Sequence, residues 1–177
     1  VKIELVNGKK HNPLSLELIK DLTNSLIQIS SQKKVKVLII SSEGPGFSAG
    51  HDLDELRKNK NNKKFFNELF NECSNLMQTI MNLPQPVIAE VCGIAAAAGC
   101  QLVASCDLAI ASEQASFMTP GVNIGLFCST PMVAVSRNLS RKKIMEMLLT
   151  GEKLSAKDAV DYGLINHCVP LDHLRQK

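Results

Sequence analysis

Apolar residues recur along this chain in two periods. Over residues 1–6 they alternate with polar ones, as in a short half-buried strand. A polar turn region follows from Asn7 to Pro13. The period then lengthens: Leu18, Leu22, Leu26 and Ile29 fall on one stripe, which predicts a helix from a cap at Ser15 to about Ser30. Residues 35–40 are rich in β-branched side chains and read as a buried strand. A glycine-rich loop over residues 43–53 ends in a short helix, and residues 59–64 form a polar, basic linker.

The second half repeats the alternation. A helix is predicted over residues 65–83, with Phe66, Leu69, Phe70, Leu76 and Met77 facing inward and Pro84 and Pro86 stopping it. A strand follows over 87–92, a run of small residues over 93–98, a helix over 99–106 and a strand over 108–111. Residues 117–131 read as loop. Helices are expected near 132–138, 142–149 and 156–161, and a last short strand over 165–169. Strands alternating with helices define an α/β protein. No sequence repeat or linker divides the chain, so one domain over residues 1–177 is expected.

Composition narrows the function. The chain has 177 residues, 45% of them apolar and 21% charged, ordinary values for a globular protein. Lys plus Arg is 20 and Asp plus Glu is 17, so the net charge of 20 − 17 = +3 does not mark a nucleic-acid binder. Six Phe, one Tyr and no Trp leave little for base stacking. No apolar run reaches the roughly 18–20 residues of a membrane span. The six cysteines form no CxxC pair and the four histidines lack zinc spacing, so reduced, buried thiols of an intracellular or organellar protein are expected, with no metal site. The chain begins at Val1 rather than Met, the pattern left by a removed targeting peptide or a trimmed start.

Two segments carry candidate chemistry. One is Phe47-Ser48-Ala49-Gly50-His51-Asp52-Leu53; the other runs from Gly93 through four alanines to Gly99-Cys100-Gln101-Leu102. Each follows a predicted strand and leads into a helix. Small side chains leave backbone N–H groups uncovered, and a helix start adds orphan N–H groups and a positive dipole end. Brought together at one end of a sheet, two such loops make a two-donor oxyanion hole. For either loop alone, close packing of helix on sheet explains the small residues as well.

The two segments together, with Pro86-Val87-Ile88-Ala89 between them and Ser105-Cys106-Asp107-Leu108 after them, resemble the crotonase, or enoyl-CoA hydratase/isomerase, superfamily. Asn12-Pro13-Leu14-Ser15, Leu149-Thr150-Gly151, Ser155-Ala156 and Tyr162-Gly163-Leu164-Ile165 are similar to further segments of that family. The resemblance runs from about Lys9 to Pro170. It implies a spiral of ββα units, an acyl-CoA substrate or ligand without a separate cofactor, and trimers or pairs of trimers in the complete protein. It also implies that this chain lacks the family's last helices, leaving apolar surface uncovered. A mitochondrial location rests on the resemblance alone.

The resemblance implies an oxyanion hole formed by the N–H groups of His51 and Ala98, which would stabilise an enolate by several kcal/mol. It places the adenine of CoA near Ser48, Ala49 and His51. The cluster Arg57, Lys58, Lys60, Lys63 and Lys64 would then face the CoA phosphates, or else form a solvated linker. Family hydratases use two glutamates as acid and base. At those two positions this chain has Gln101 and Gly121, an amide and a residue with no side chain. Standard hydration is therefore expected to be weak or absent. Cys128 and Ser129 stand where some relatives carry an acidic group. Cys128 is a weak candidate nucleophile, the His51 ring a weak candidate acid or base. Asp52 and Asp54 read as helix caps, Asp107 as a turn residue, Glu90 as a solvent-facing or paired carboxylate, and His167 and His173 as surface groups.

Overall fold

Three times the chain runs up a strand, turns sharply into a second, shorter strand and leaves it through a helix. The computed structural model describes residues 1–176. In chain order the elements are β1 (Lys2–Leu5), α1 (Leu16–Ser30), β2 (Leu38–Ser42), β3 (Gly46–Ser48), α2 (Leu53–Lys58), α3 (Lys63–Met81), β4 (Val87–Val91) and β5 (Ile94–Ala96). They continue with α4 (Ala98–Ser105), β6 (Leu108–Ser112), β7 (Ser116–Met118), α5 (Ser129–Val135), α6 (Arg141–Thr150), β8 (Leu154–Ser155), α7 (Ala156–Asp161) and β9 (His167–Val169). Short 3-10 turns occupy Gly8–Lys10, Pro120–Ile124 and Leu171–His173.

The longer strands form a five-stranded parallel sheet in the order β1-β2-β4-β6-β9. The shorter ones form a second sheet, β3-β5-β7-β8, parallel except for its last pair. Each repeat of strand, short strand and helix thus stacks on the one before, a spiral of ββα units. Glycine makes the stacking possible. A Cβ on Gly93 would lie 2.0 Å from the carbonyl oxygen of Pro45, so adjacent turns of the spiral touch backbone to backbone.

Burial follows the predicted periods. Ser15 caps α1 by accepting a hydrogen bond from Leu18 N–H, and Ile19, Leu22, Leu26 and Ile29 are buried beneath it. In α3 the buried stripe is Leu69, Cys73, Leu76, Met77 and Ile80, which packs on α1. Phe66 and Phe70 were expected on that stripe. They flank it instead: Phe70 is 37% exposed, stacks on Phe66 and sets its ring edge against His51. In β4 only Val87, Ala89 and Val91 are fully buried. Glu90 lies on the other face, paired with Lys2 at 3.1 Å and Arg175 at 3.7 Å, as its paired reading anticipated.

Two further expectations change. The strand predicted over residues 35–40 begins later, at Leu38, and Val37 remains exposed. The stretch 117–131 is not simple loop: it ends β7, makes a 3-10 turn and starts α5. Helices near 142–149 and 156–161 occur as α6 and α7. Among the described residues no helix is long and apolar enough to cross a membrane.

Candidate functional site

The two small-residue loops meet, and glycine decides how closely. Gly50 has φ +87°, and a Cβ there would lie 2.9 Å from Ala96 O and 3.1 Å from Ala98 N. A Cβ on Gly99 would lie 2.4 Å from Ser48 O. The residues beside these glycines, His51 and Ala98, are thereby brought to the same cavity. Ala98 is the first residue of α4, where an N–H has no acceptor within the helix. Among the described residues neither the Ala98 N–H nor the His51 N–H donates a hydrogen bond. Ala97, just before, holds φ 48° and ψ −117°, a conformation costly for any residue with a Cβ.

A polar clamp that sequence reasoning did not single out fixes the first loop. Asn12 is fully buried, with φ 50°. Its Nδ2 donates to the carbonyls of Glu43 and Gly46, and its Oδ1 accepts from Asn7 N–H. The Ser48 hydroxyl donates to Asn12 O at 2.9 Å and accepts from Gly50 N–H. Ser48 is 0% exposed inside the loop, where its hydroxyl holds Gly50 and His51 in place. The sequence signal for Asn12 was its place in Asn12-Pro13-Leu14-Ser15, a segment similar to the family's, from which no role was read. Ala49 and Lys58 are exposed, as are Arg57, Lys60, Lys63 and Lys64.

His51 contributes more than its backbone. Its ring nitrogens are buried without a hydrogen-bond partner, and Phe70 meets it edge-on at 5.6 Å. Burial pushes its pKa below the ordinary 6.5. The ring is neutral at pH 7. Asp52 does cap α2, accepting from Asp54 and Glu55 N–H, while Asp54 pairs with Arg57. Glu55 in turn accepts from Leu16 N–H, the start of α1. Asp107 accepts from Val87 N–H at 2.7 Å and so ties the end of α4 to β4. His167 and His173 are exposed.

The cavity beside His51 and Ala98 measures about 210 Å³ and is completed by Phe70, Leu126, Phe127 and residues 128–131. A second cavity of about 170 Å³ lies between α3, α4 and α5, with Gln101 in its wall. Thr130 lines both. No Asp or Glu lines either one among the described residues. Gln101 is 5% exposed, and its Oε1 has no partner there. Gly121 is buried, and a Cβ on it would lie 2.3 Å from Leu126 O and 2.8 Å from Cys128 Sγ. The 3-10 turn has closed over the space a side chain would need.

Cys128 and Ser129 sit at the cavity, Cys128 buried and Ser129 exposed at the start of α5. Burial raises the Cys128 thiol pKa, offset in part by the backbone of Gly121, so the thiol stays protonated. His51 shares the cavity, yet neither of its nitrogens is hydrogen-bonded, so no nucleophile–base pair forms. Cys73 and Cys100, deep in the core, are raised to about 11 and about 12 by burial. The six cysteines are free, and no metal-binding cluster occurs among the described residues.

Stacked ββα turns, with two glycine-bearing loops facing one cavity, define a crotonase fold, and the chain belongs to the enoyl-CoA hydratase/isomerase family, whose profile matches residues 1–177. It is 51% identical over 175 residues to the human protein named enoyl-CoA hydratase domain-containing protein 3, mitochondrial. That match covers 99% of this chain and 57% of the relative. A crystal structure of the human protein of that name superposes with a TM-score of 0.95 at 51% identity, covering 99% of this chain and 69% of that one. An enoyl-CoA hydratase from Mycobacterium smegmatis gives 0.94 at 43% identity, covering 99% and 68%. This chain thus spans a little under three-fifths of its human curated relative.

Proposed function

We propose that this chain binds an acyl-CoA thioester, with the N–H groups of His51 and Ala98 directed at the thioester oxygen, and that it does not carry out standard enoyl hydration. The observation that carries the reading is a pair of N–H groups without acceptors beside a cavity that no carboxylate lines. Two such donors stabilise a developing oxyanion by several kcal/mol. Adding water across a double bond further requires a base for the water and an acid for the α-carbon. Gln101 is an amide, Gly121 has no side chain and no room for one, and Cys128 stays a thiol. The exposure of Lys58 in α2 and of Lys63 and Lys64 at the start of α3 supports their meeting the CoA phosphates. The exposure of Ala49 supports a place for the adenine beside it.

A second reading is favoured by the same pair of donors. Decarboxylation of an acyl-CoA leaves an enolate whose charge the two N–H groups would hold, with little acid–base machinery required; hydrolysis of the thioester is a further reaction of that kind. A non-catalytic acyl-CoA binder, or a regulatory or structural subunit, fits the missing carboxylates equally. The relatives' names support a mitochondrial location, and the family resemblance supports a place in lipid metabolism. The family resemblance supports a homotrimer or hexamer for the complete protein. The donor claim is tested by calorimetry with acetyl-CoA and its S-ethyl thioether analogue, which lacks the carbonyl oxygen. Acetyl-CoA is expected to bind roughly fivefold more tightly or better, the weight of one neutral hydrogen bond. Equal affinity for the two ligands would contradict the donor role.

A further inference from the structure

The second cavity is chemically unlike the first. Its walls bring Ser74 and Gln78 from α3, Gln101 and Ser105 from α4, Thr130 from α5 and Arg137 just beyond α5. Arg137 is the only charged group there among the described residues, and no ion pair with a described carboxylate occupies it. Its side-chain contact is a weak one, from Nη1 to Met81 Sδ at 3.6 Å. Gln101, 5% exposed, lines the same cavity, and its amide NH₂ donates to no described residue. Ser105 shows how little else is free: its hydroxyl is already engaged with Gln101 O.

We propose that this cavity receives the far end of the acyl chain, and that the end it receives carries a carboxylate. The inference rests on the proposed thioester site, because Thr130 joins the two cavities and a chain anchored at the His51 and Ala98 N–H groups leads past it. A guanidinium with no carboxylate opposite it pairs two carboxylate oxygens in its fork. The Gln101 amide donates to an anion through its NH₂ group, the orientation of the two amide atoms being interchangeable. A glutamate at position 101 would repel the same anion. The substrate class is therefore a dicarboxylic acid monothioester of CoA.

Calorimetric titration with glutaryl-CoA and with valeryl-CoA, equal in chain length and different in terminal charge, tests this. Glutaryl-CoA is expected to bind roughly tenfold more tightly or better, the weight of a charge-assisted hydrogen bond. Arg137→Gln should abolish the preference without changing valeryl-CoA affinity, and Gln101→Glu should reverse it. Equal binding of the two thioesters by the unaltered protein would overturn the carboxylate subsite and leave the thioester site standing. Binding of neither thioester would overturn both. If Gln101→Glu fails to fold, the surface variant Arg137→Gln still decides the matter.

Discussion

Gly121 carries the most pointed residue-scale consequence. A lost acid can in principle be replaced, but a Cβ here strikes Leu126 O, so Gly121→Glu should destabilise the fold by more than about 3 kcal/mol and restore no hydratase activity. Urea unfolding and a crotonyl-CoA assay on the variant check both halves. Ala97 offers the opposite case. Glycine at its φ of 48° removes strain of about 1–3 kcal/mol against an entropic cost of up to about 1, so Ala97→Gly should raise stability by about 1 kcal/mol, or about 2–4 °C in Tm. His51 makes stability depend on pH. The unfolded chain takes up a proton near 6.5, whereas burial holds the folded ring neutral to lower pH. Its contribution is complete above 6.5 and is lost as pH falls below it. Denaturant midpoints measured from pH 7.5 to 5 should fall, and His51→Phe should flatten that slope; an unchanged slope would show that other groups govern it. Gln101 and Gly121 were legible in the sequence as departures at two family positions. That Ser48 is sealed by Asn12 depends on contacts made 31 to 36 residues apart, which periodicity does not carry; the space beside Gly121 is closed by Leu126 and Cys128 within one irregular segment that shows no period.

At the scale of elements, amphipathic stripes were the dependable signal. Four leucine or isoleucine positions located α1, and the proline pair after α3 bounded it. Leu76 lies wholly inside the packing of α3 on α1, and Leu76→Ala should cost about 2–5 kcal/mol by thermal or urea unfolding, a loss far above that of any exposed residue on the same helix. The second sheet was invisible for a physical reason. Its strands β3, β5 and β7 are three residues each, too short to show a period of two, and they are made of Gly, Ala, Ser, Phe, Ile and Met rather than a β-branched run. Stacking of successive turns fixes them, not local preference. The same brevity hid β7 and the start of α5 inside a segment read as loop. Phe66 and Phe70 were assigned to the core as part of the apolar face of an amphipathic helix. The stripe that reaches α1 is narrower than the apolar face, and the remainder of that face supports His51.

For the whole molecule, the alternating elements gave the α/β class, and the spiral of ββα units came from the family resemblance carried by the paired loops and the segments around them. Surface chemistry was less accessible. Leu126 and Phe127 stand 56% and 41% exposed at the first cavity, and Ile124, Val133 and Leu149 add to the apolar surface. Exposed apolar surface drives association. Sedimentation of this chain should therefore show concentration-dependent oligomers that weaken in a Leu126→Ser, Phe127→Ser variant; a monodisperse monomer at all concentrations would contradict that expectation. The central claim is that the protein retains a thioester-binding oxyanion site without the acid–base pair for hydration. Crotonyl-CoA tests it most directly, with loss of the enoyl-thioester absorbance followed beside a true hydratase and binding measured by calorimetry in the same preparation. Saturable binding without turnover is the predicted result. Rapid hydration would contradict the account and show that groups other than carboxylates activate the water.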